Sequence, residues 1–252
     1  MKLRTFFTLI KLPFLYCAAA IVAILFVIFS LPVALMSTSI RFDNRWFFWV
    51  SNVSSRMIVW LAGFQYQIEG KGNIPSYSEI PSIILANHAS AFDIPLVEML
   101  LNQYPHVWIS KEEYGYIPFF GFILRRMALL LKRGDSGNST SILKQSYKLV
   151  HNKKRHIVLF PEGRRHDDGN VHEFYEGFAT LAPLLQRPVV PIAIWGLHKI
   201  YPKNSLLIDS SACPVKISIG KPMYCGKEMS RKDFVAVVHK WFAVEIARLA
   251  KS

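Results

Sequence analysis

The hydrophobic rhythm of the chain changes twice. Residues 12–40 form a run of 29 without a charge, bracketed by Lys11 and Arg41. As one helix that run would be about 43 Å long, against about 30 Å for the hydrocarbon core of a bilayer. Pro32 lies inside it, so the pattern predicts a helix over 14–31, about 27 Å long, followed by a kink or a turn. Residues 45–64, RWFFWVSNVSSRMIVWLAGF, then place apolar side chains at Trp46, Trp49, Val50, Val53, Met57, Trp60, Leu61 and Phe64. These spacings make a helical stripe, with Asn52, Ser55 and Arg56 away from it. Three tryptophans beside an apolar run favour a helix lying in a membrane interface over one packed on a core.

Beyond Gly63 the stripes give way to short apolar runs separated by turns. They predict strands at 65–69, 82–86, 107–110, 127–131, 156–160, 189–195 and 215–219. Helical patterns fall between several of them, at 94–101, 139–151 and 174–185. A last helix over 231–250 opens on Ser230 with Asp233 three residues on, a capping box with Asp in place of Glu. Strands alternating with helices predict an α/β fold with a mixed, largely parallel sheet flanked by helices, preceded by N-terminal membrane-binding helices. The division this implies is residues 1–62 as membrane anchor and interfacial helix, and 63–252 as the α/β domain.

Composition narrows the partners. The net charge is +13, with 30 Lys and Arg against 17 Asp and Glu, which calls for an anionic partner. The basic residues are scattered and no nucleic-acid-reading module is visible, so an anionic bilayer surface is expected and nucleic acid is not. Basic residues flank the apolar run on both sides, Lys2, Arg4 and Lys11 before it and Arg41, Arg45 and Arg56 after it. The positive-inside rule therefore leaves a monotopic anchor and a single pass both open. A secretory signal is disfavoured by the length of the run. Cys17, Cys213 and Cys225 have unrelated spacings, which fits a reduced domain on the cytosolic face of a membrane such as the bacterial inner membrane.

Two apolar strands end in polar motifs. Residues 83–86, IILA, run into Asn87-His88 with Asp93 following, and residues 157–160, IVLF, run into Pro161-Glu162-Gly163-Arg164-Arg165. In open α/β sheets ligands collect beyond the carboxyl ends of the strands, so if these two are neighbours a base and a phosphate-binding pair share one crevice. Asp93 is placed to accept a hydrogen bond from one imidazole nitrogen of His88, leaving the other free to take a proton. The bland alternative is an Asp that caps its helix beside a polar turn histidine. With no G-x-S-x-G elbow, no Cys-His pair and no P-loop, a hydroxyl activated by His88 would attack its electrophile directly.

These motifs resemble those of the glycerolipid acyltransferases typified by 1-acylglycerol-3-phosphate acyltransferase. Asn87-His88-x4-Asp93 matches the first motif and Phe160-Pro161-Glu162-Gly163 followed by arginine matches the third. Lys111, Pro118, Gly121 and Arg133 resemble the second, and Val190-Pro191-Ile192-Ala193 resembles the fourth. The resemblance implies that His88 activates the hydroxyl of a lysophospholipid, lysophosphatidate above all, for attack on an acyl thioester, giving phosphatidate in phospholipid biosynthesis. Asp93 would orient the base. Lys111, Arg133, Arg164 and Arg165 would hold the acceptor phosphate, and Asn87, Glu162 and Gly163 would shape the pocket. No bound cofactor or metal is implied; acyl-coenzyme A or acyl carrier protein would be the donor.

Arg164 stands where the family has a small hydroxyl residue, so either Arg164 or Arg165 could take the phosphate role. The glycine expected late in the second motif is Met127 or Ala128, and Glu176 rather than a basic residue precedes Gly177. These departures bear on the acceptor head group, leaving lysophosphatidylglycerol or a lyso-ornithine lipid as alternatives. Readings of another class are a metal-dependent lipid phosphohydrolase and a non-catalytic basic membrane adaptor. For the first, the cluster His166, Asp167, Asp168 and His172 would be the ligand set, although its place in a Gly-containing loop reads as a solvated turn.

Overall fold

The computed structural model describes residues 2–132, 136–151, 153–226 and 228–252, with the side chains of 2–11 and 136–140 set aside. Helix α1 (Lys2–Leu35) continues through both Pro13 and Pro32, so the predicted break does not occur at Pro32. A proline removes one backbone bond, and here it falls in the last turn of a helix whose Val33 and Ala34 are buried against the domain; packing outweighs the local defect. The chain turns only after Leu35, through the short α2 (Thr38–Arg41), into α3 (Arg45–Ala62). Helix α3 is fixed at both ends, by the Asn44 side chain accepting from the Trp46 N–H at 3.0 Å and by Gly63 at φ 69°.

Of the stripe foreseen for α3, Trp46, Trp49, Met57 and Trp60 are exposed, while Val50 and Phe64 are buried; the packed face is formed mainly by Phe47, Phe48, Val59 and Ala62, which lie outside the stripe. Asn52, placed away from the stripe by its spacing, lies on the packed face and is buried. Its amide donates to the carbonyls of Glu98 and Met99 at 3.1 and 3.3 Å, at the C-terminal end of α4 (Asp93–Leu100), where helix carbonyls lack intrahelical partners.

The seven predicted strands all form: β1 (Tyr66–Glu69), β2 (Ile83–Ala86), β3 (His106–Lys111), β4 (Ala128–Leu131), β5 (His156–Leu159), β6 (Val189–Trp195) and β7 (Val215–Ile219). They make one sheet in the order β1-β7-β6-β2-β5-β3-β4, with β6 and β7 antiparallel and every other pair parallel. The expected α/β class with a largely parallel sheet is the class observed. Between and after the strands lie α5 (Phe120–Met127), α6 (Ser136–Val150), α7 (Gly177–Leu185), α8 (Leu197–Ile200) and α9 (Arg231–Lys251). Ser230 caps α9 by accepting from the Asp233 N–H at 3.1 Å, as its sequence signature predicts. Helix α5 was not foreseen, and it takes Met127 from the predicted strand.

Strand β2 sits near the middle of the sheet with all four side chains buried. Ile83 and Leu85 face one core cluster, which includes Val33, Phe42 and Phe48 from the N-terminal helices, Phe178 of α7 and Phe242 of α9. Ile84 and Ala86 face the other, with Leu96 and Leu100 of α4 and Val59 of α3. The two-residue alternation of a strand thus joins both layers of helices through one short run.

Candidate functional site

β2 and β5 are parallel neighbours, with Ile83, Ile84 and Leu85 opposite Ile157, Val158 and Leu159. The two polar motifs therefore leave adjacent strand ends on the same edge of the sheet. Asn87 fixes the first of them. Its amide donates to the Ile194 carbonyl at 2.9 Å and accepts from the Ile194 N–H at 2.7 Å, which extends the pairing of β2 with β6 by one side chain.

Asp93 is fully buried, and a single carboxylate oxygen, Oδ2, takes three contacts. The N–H groups of Ala89 and Ser90 donate to it at 2.7 Å each, and His88 Nδ1 lies 2.9 Å away. A carboxylate that already accepts two backbone protons requires the proton of the third contact to sit on Nδ1, so Nε2 of His88 is left as the basic nitrogen. Asp93 is also the first residue of α4, where the helix dipole favours its negative charge. The imidazole stacks on the Phe160 ring with centroids 4.1 Å apart and planes 10° from parallel.

The turn after β5 holds His88 by its backbone. The His88 N–H donates to Glu162 Oε1 at 3.0 Å, and the His166 N–H donates to the His88 carbonyl at 2.9 Å. Burial pushes the Glu162 carboxyl up to about 8, against the pull of the His88 N–H, and Asp93 and Asp168 add to the rise. At neutral pH Glu162 is therefore largely the uncharged acid. Gly163 follows at φ 65°, a conformation that favours glycine, and the Gly163 N–H closes the turn on the Phe160 carbonyl at 3.0 Å.

A cavity of about 730 Å³ opens at this point. His88, Lys111, Gly163 and Arg164 line it, and most of its wall is apolar, including Phe26, Ile123, Leu124, Leu159, Phe178 and Leu181. Arg165 lines instead a smaller depression of about 290 Å³, together with Arg164, His166, Asp167, Asp168 and Lys203. Of the two arginines between which the sequence does not choose, Arg164 is the one that shares the cavity with His88. Arg133 lies outside the described residues. In the loop, His166 stacks on His172 at 3.6 Å and His172 Nε2 lies 2.9 Å from Asp168 Oδ2. Among the described residues no group of three His, Cys, Asp or Glu is arranged to hold a metal.

Sequence reasoning missed the polar wall of the cavity. Glu98 Oε2 accepts from His106 Nε2 at 2.9 Å and from Trp108 Nε1 at 3.0 Å, while His106 Nδ1 lies 2.7 Å from the Tyr104 carbonyl. With an acceptor at each ring nitrogen, His106 is an imidazolium. Burial opposes both charges, yet Glu98 holds His106 above its ordinary value and His106 holds Glu98 below its own. Trp108 packs next on Phe160, at 5.6 Å between centroids, so the pair buttresses the ring beneath His88. Nothing local marks these residues, because they come from α4 and β3.

The model of a family described as Acyltransferase matches residues 65–195, which carry both strand ends and the cavity lysine. The chain belongs to the acyltransferase family. Among relatives of the chain, the 1-acyl-sn-glycerol-3-phosphate acyltransferase of Cocos nucifera is 32% identical over 167 residues, 66% of this chain and 52% of that protein. The chloroplastic 1-acyl-sn-glycerol-3-phosphate acyltransferase BAT2 of Brassica napus is 35% identical over 165 residues, 65% of this chain and 46% of that protein. The chain thus spans about half the length of these curated relatives. The crystal structure of the 1-acyl-sn-glycerophosphate acyltransferase PlsC from Thermotoga maritima superposes with a TM-score of 0.77 at 24% identity, over 97% of this chain and 98% of that one, a likeness of fold.

Proposed function

We propose that this acyltransferase moves an acyl chain from an acyl thioester to the free hydroxyl of lysophosphatidate, giving phosphatidate and a free thiol, with His88 as general base. The observation that carries the reading is the Asp93 carboxylate accepting from two backbone N–H groups and His88 Nδ1, beside a cavity that also holds Lys111 and Arg164. In the reaction, Nε2 takes the hydroxyl proton as the oxygen attacks the thioester carbonyl. The tetrahedral intermediate then expels the thiolate, which recovers the proton from the imidazolium. General-base assistance of this kind contributes a factor of about 100 to 10,000.

Arg164 and Lys111 supply charge-assisted bonds to the acceptor phosphate, and Arg165 reinforces the field from its neighbouring depression. Glu162, Gly163 and Asn87 keep the strand ends in place. The apolar wall takes acyl chain, and the donor is acyl-coenzyme A or acyl carrier protein. Residues 1–62 form the membrane-binding part and residues 63–252 the catalytic domain, on the cytosolic face. The exposed face of α1, with Ile21, Ile24, Ile28 and Leu31, and the exposed tryptophans of α3 support the membrane contact of the N-terminal helices.

The test is thiol release from acyl-coenzyme A across a panel of lysolipids, with His88→Ala as control. The expected result is release that depends on lysophosphatidate and is lost in the variant. Equal release with a phosphate-free lysolipid would exclude phosphate recognition, and near-normal turnover in the folded variant would remove His88 from the chemistry.

A further inference from the structure

Between β3 and α5 the chain exposes an aromatic turn to solvent. Tyr116, Ile117 and Phe119 are 72%, 44% and 82% exposed, respectively. Phe119 adopts φ 60° and ψ −56°, and the Phe120 N–H closes on the Pro118 carbonyl at 2.6 Å. This is a γ-turn of the rare, strained hand, with a bulky aromatic at its centre. The turn is bound to the anchor helix. Arg126 of α5 donates to the carbonyls of Ala34 and Met36 at 2.7 and 2.9 Å, at the C-terminal end of α1. Phe120 meets Phe26 of α1 at 5.9 Å between centroids. Ile117 and Phe120 line the cavity together with Val22 and Phe26, so the cavity wall passes between this turn and α1.

We infer that the 116–119 turn is a membrane-inserting lip, which seats in the bilayer beside the exposed face of α1 and holds the cavity against the lipid surface. The inference rests on the membrane placement under Proposed function. Its occupant is a bilayer because Phe120, next to the turn, packs on Phe26 of α1, whose neighbours Ile24, Leu25, Ile28 and Phe29 are exposed, and because the turn carries no charge between Tyr116 and Phe119. Insertion buries the side chain that the strained turn holds in water.

Phe119→Cys is made in the full chain with Cys17, Cys213 and Cys225 replaced by Ser, and labelled with a polarity-sensitive fluorophore. The labelled protein is mixed with phosphatidylcholine–phosphatidylglycerol vesicles bearing acyl-chain nitroxides; the same label at Val237, exposed on α9, is the reference. Quenching and a blue shift at position 119 but not at 237 are expected; equal signals at the two positions overturn the lip. Phe119→Gly, which relieves the backbone, should melt no lower than the wild type. It should also lower kcat/KM for a vesicle-embedded acceptor by about tenfold to a hundredfold, the worth of one buried aromatic, with a short-chain soluble acceptor unaffected. Equal losses on both acceptors also overturn it. A wild type inactive on both acceptors refutes the proposed reaction, while quenching at 119 still decides the lip.

Discussion

At the end of β2 the polar groups are held by buried partners: Asn87 by Ile194, the His88 ring by Asp93, the His88 backbone by Glu162 and His166. At the end of β5, one position further along the sheet, Arg164 extends into solvent, and its Nε lies 3.2 Å from His166 Nε2. Under the proposed reaction, the contrast follows from what each side would do. A general base has to sit within a few tenths of an ångström of a proton, so its geometry is fixed before substrate arrives. A phosphate carries charge on several oxygens and is attracted from any side, so a long, hydrated guanidinium can close on it after binding.

The contrast predicts that chemistry and binding separate between the two strand ends. His88→Ala should lower kcat by about 100- to 10,000-fold with the acceptor KM little changed, in steady-state assays of a variant whose circular dichroism matches the wild type. A loss confined to KM would place the base elsewhere. Asp93→Ala should cost both activity and fold. It leaves the N–H groups of Ala89 and Ser90 without an acceptor, at about 1–3 kcal/mol each, a loss to be read from urea midpoints. If Asp93→Ala melts like the wild type, the rigid half of the comparison fails.

Arg164→Ala should leave the melting temperature unchanged and raise the KM for a phosphate-bearing acceptor by about tenfold to a hundredfold, as expected for one charge-assisted bond. Arg165→Ala should raise it less; the reverse order would assign the phosphate to the smaller depression.

The smallest effect concerns Glu162. Its carboxyl ionises near 8 in the folded protein against 4.5 when unfolded, so between these values the folded state binds the extra proton. Its contribution to stability is therefore full below about 4.5 and declines until the pH passes about 8. Glu162→Gln, whose side-chain oxygen still accepts from the His88 N–H, should flatten that decline in thermal melts taken from pH 5 to 9. It should also remove the part of any alkaline loss of rate that comes from a new charge beside Asp93.

Much of the fold was legible because its signals are local. Seven apolar runs became seven strands, since each is short, bounded by turn residues and too long in its spacing to the next for a hairpin. The His88–Asp93 contact was legible for the same reason: five positions across a strand-to-helix turn bring the two side chains together whatever else the chain does. Helix α5 was missed because its apolar positions, Ile123 and Met127, are interrupted by Arg125 and Arg126. Those arginines are spent on the carbonyls of Gly115, Ala34 and Met36, which no local pattern announces. The burial of Asn52 was not legible, because the carbonyls it bonds are 46 and 47 residues away.

By itself, then, the sequence determined which segments are strands and where the longer helices after them lie, that an imidazole and a carboxylate meet at one strand end, and that the N-terminal region is apolar enough for a membrane. The tertiary structure alone decided that β2 and β5 are neighbours, that Arg164 rather than Arg165 faces the cavity with His88, that Phe160 lies beneath the imidazole, and that α1 runs past Pro32. The physical reason is sequence distance. Propensity and periodicity act over a turn or two, whereas strand order in a parallel sheet is set by crossovers tens of residues long, whose outcome depends on how both faces of the sheet are covered at once.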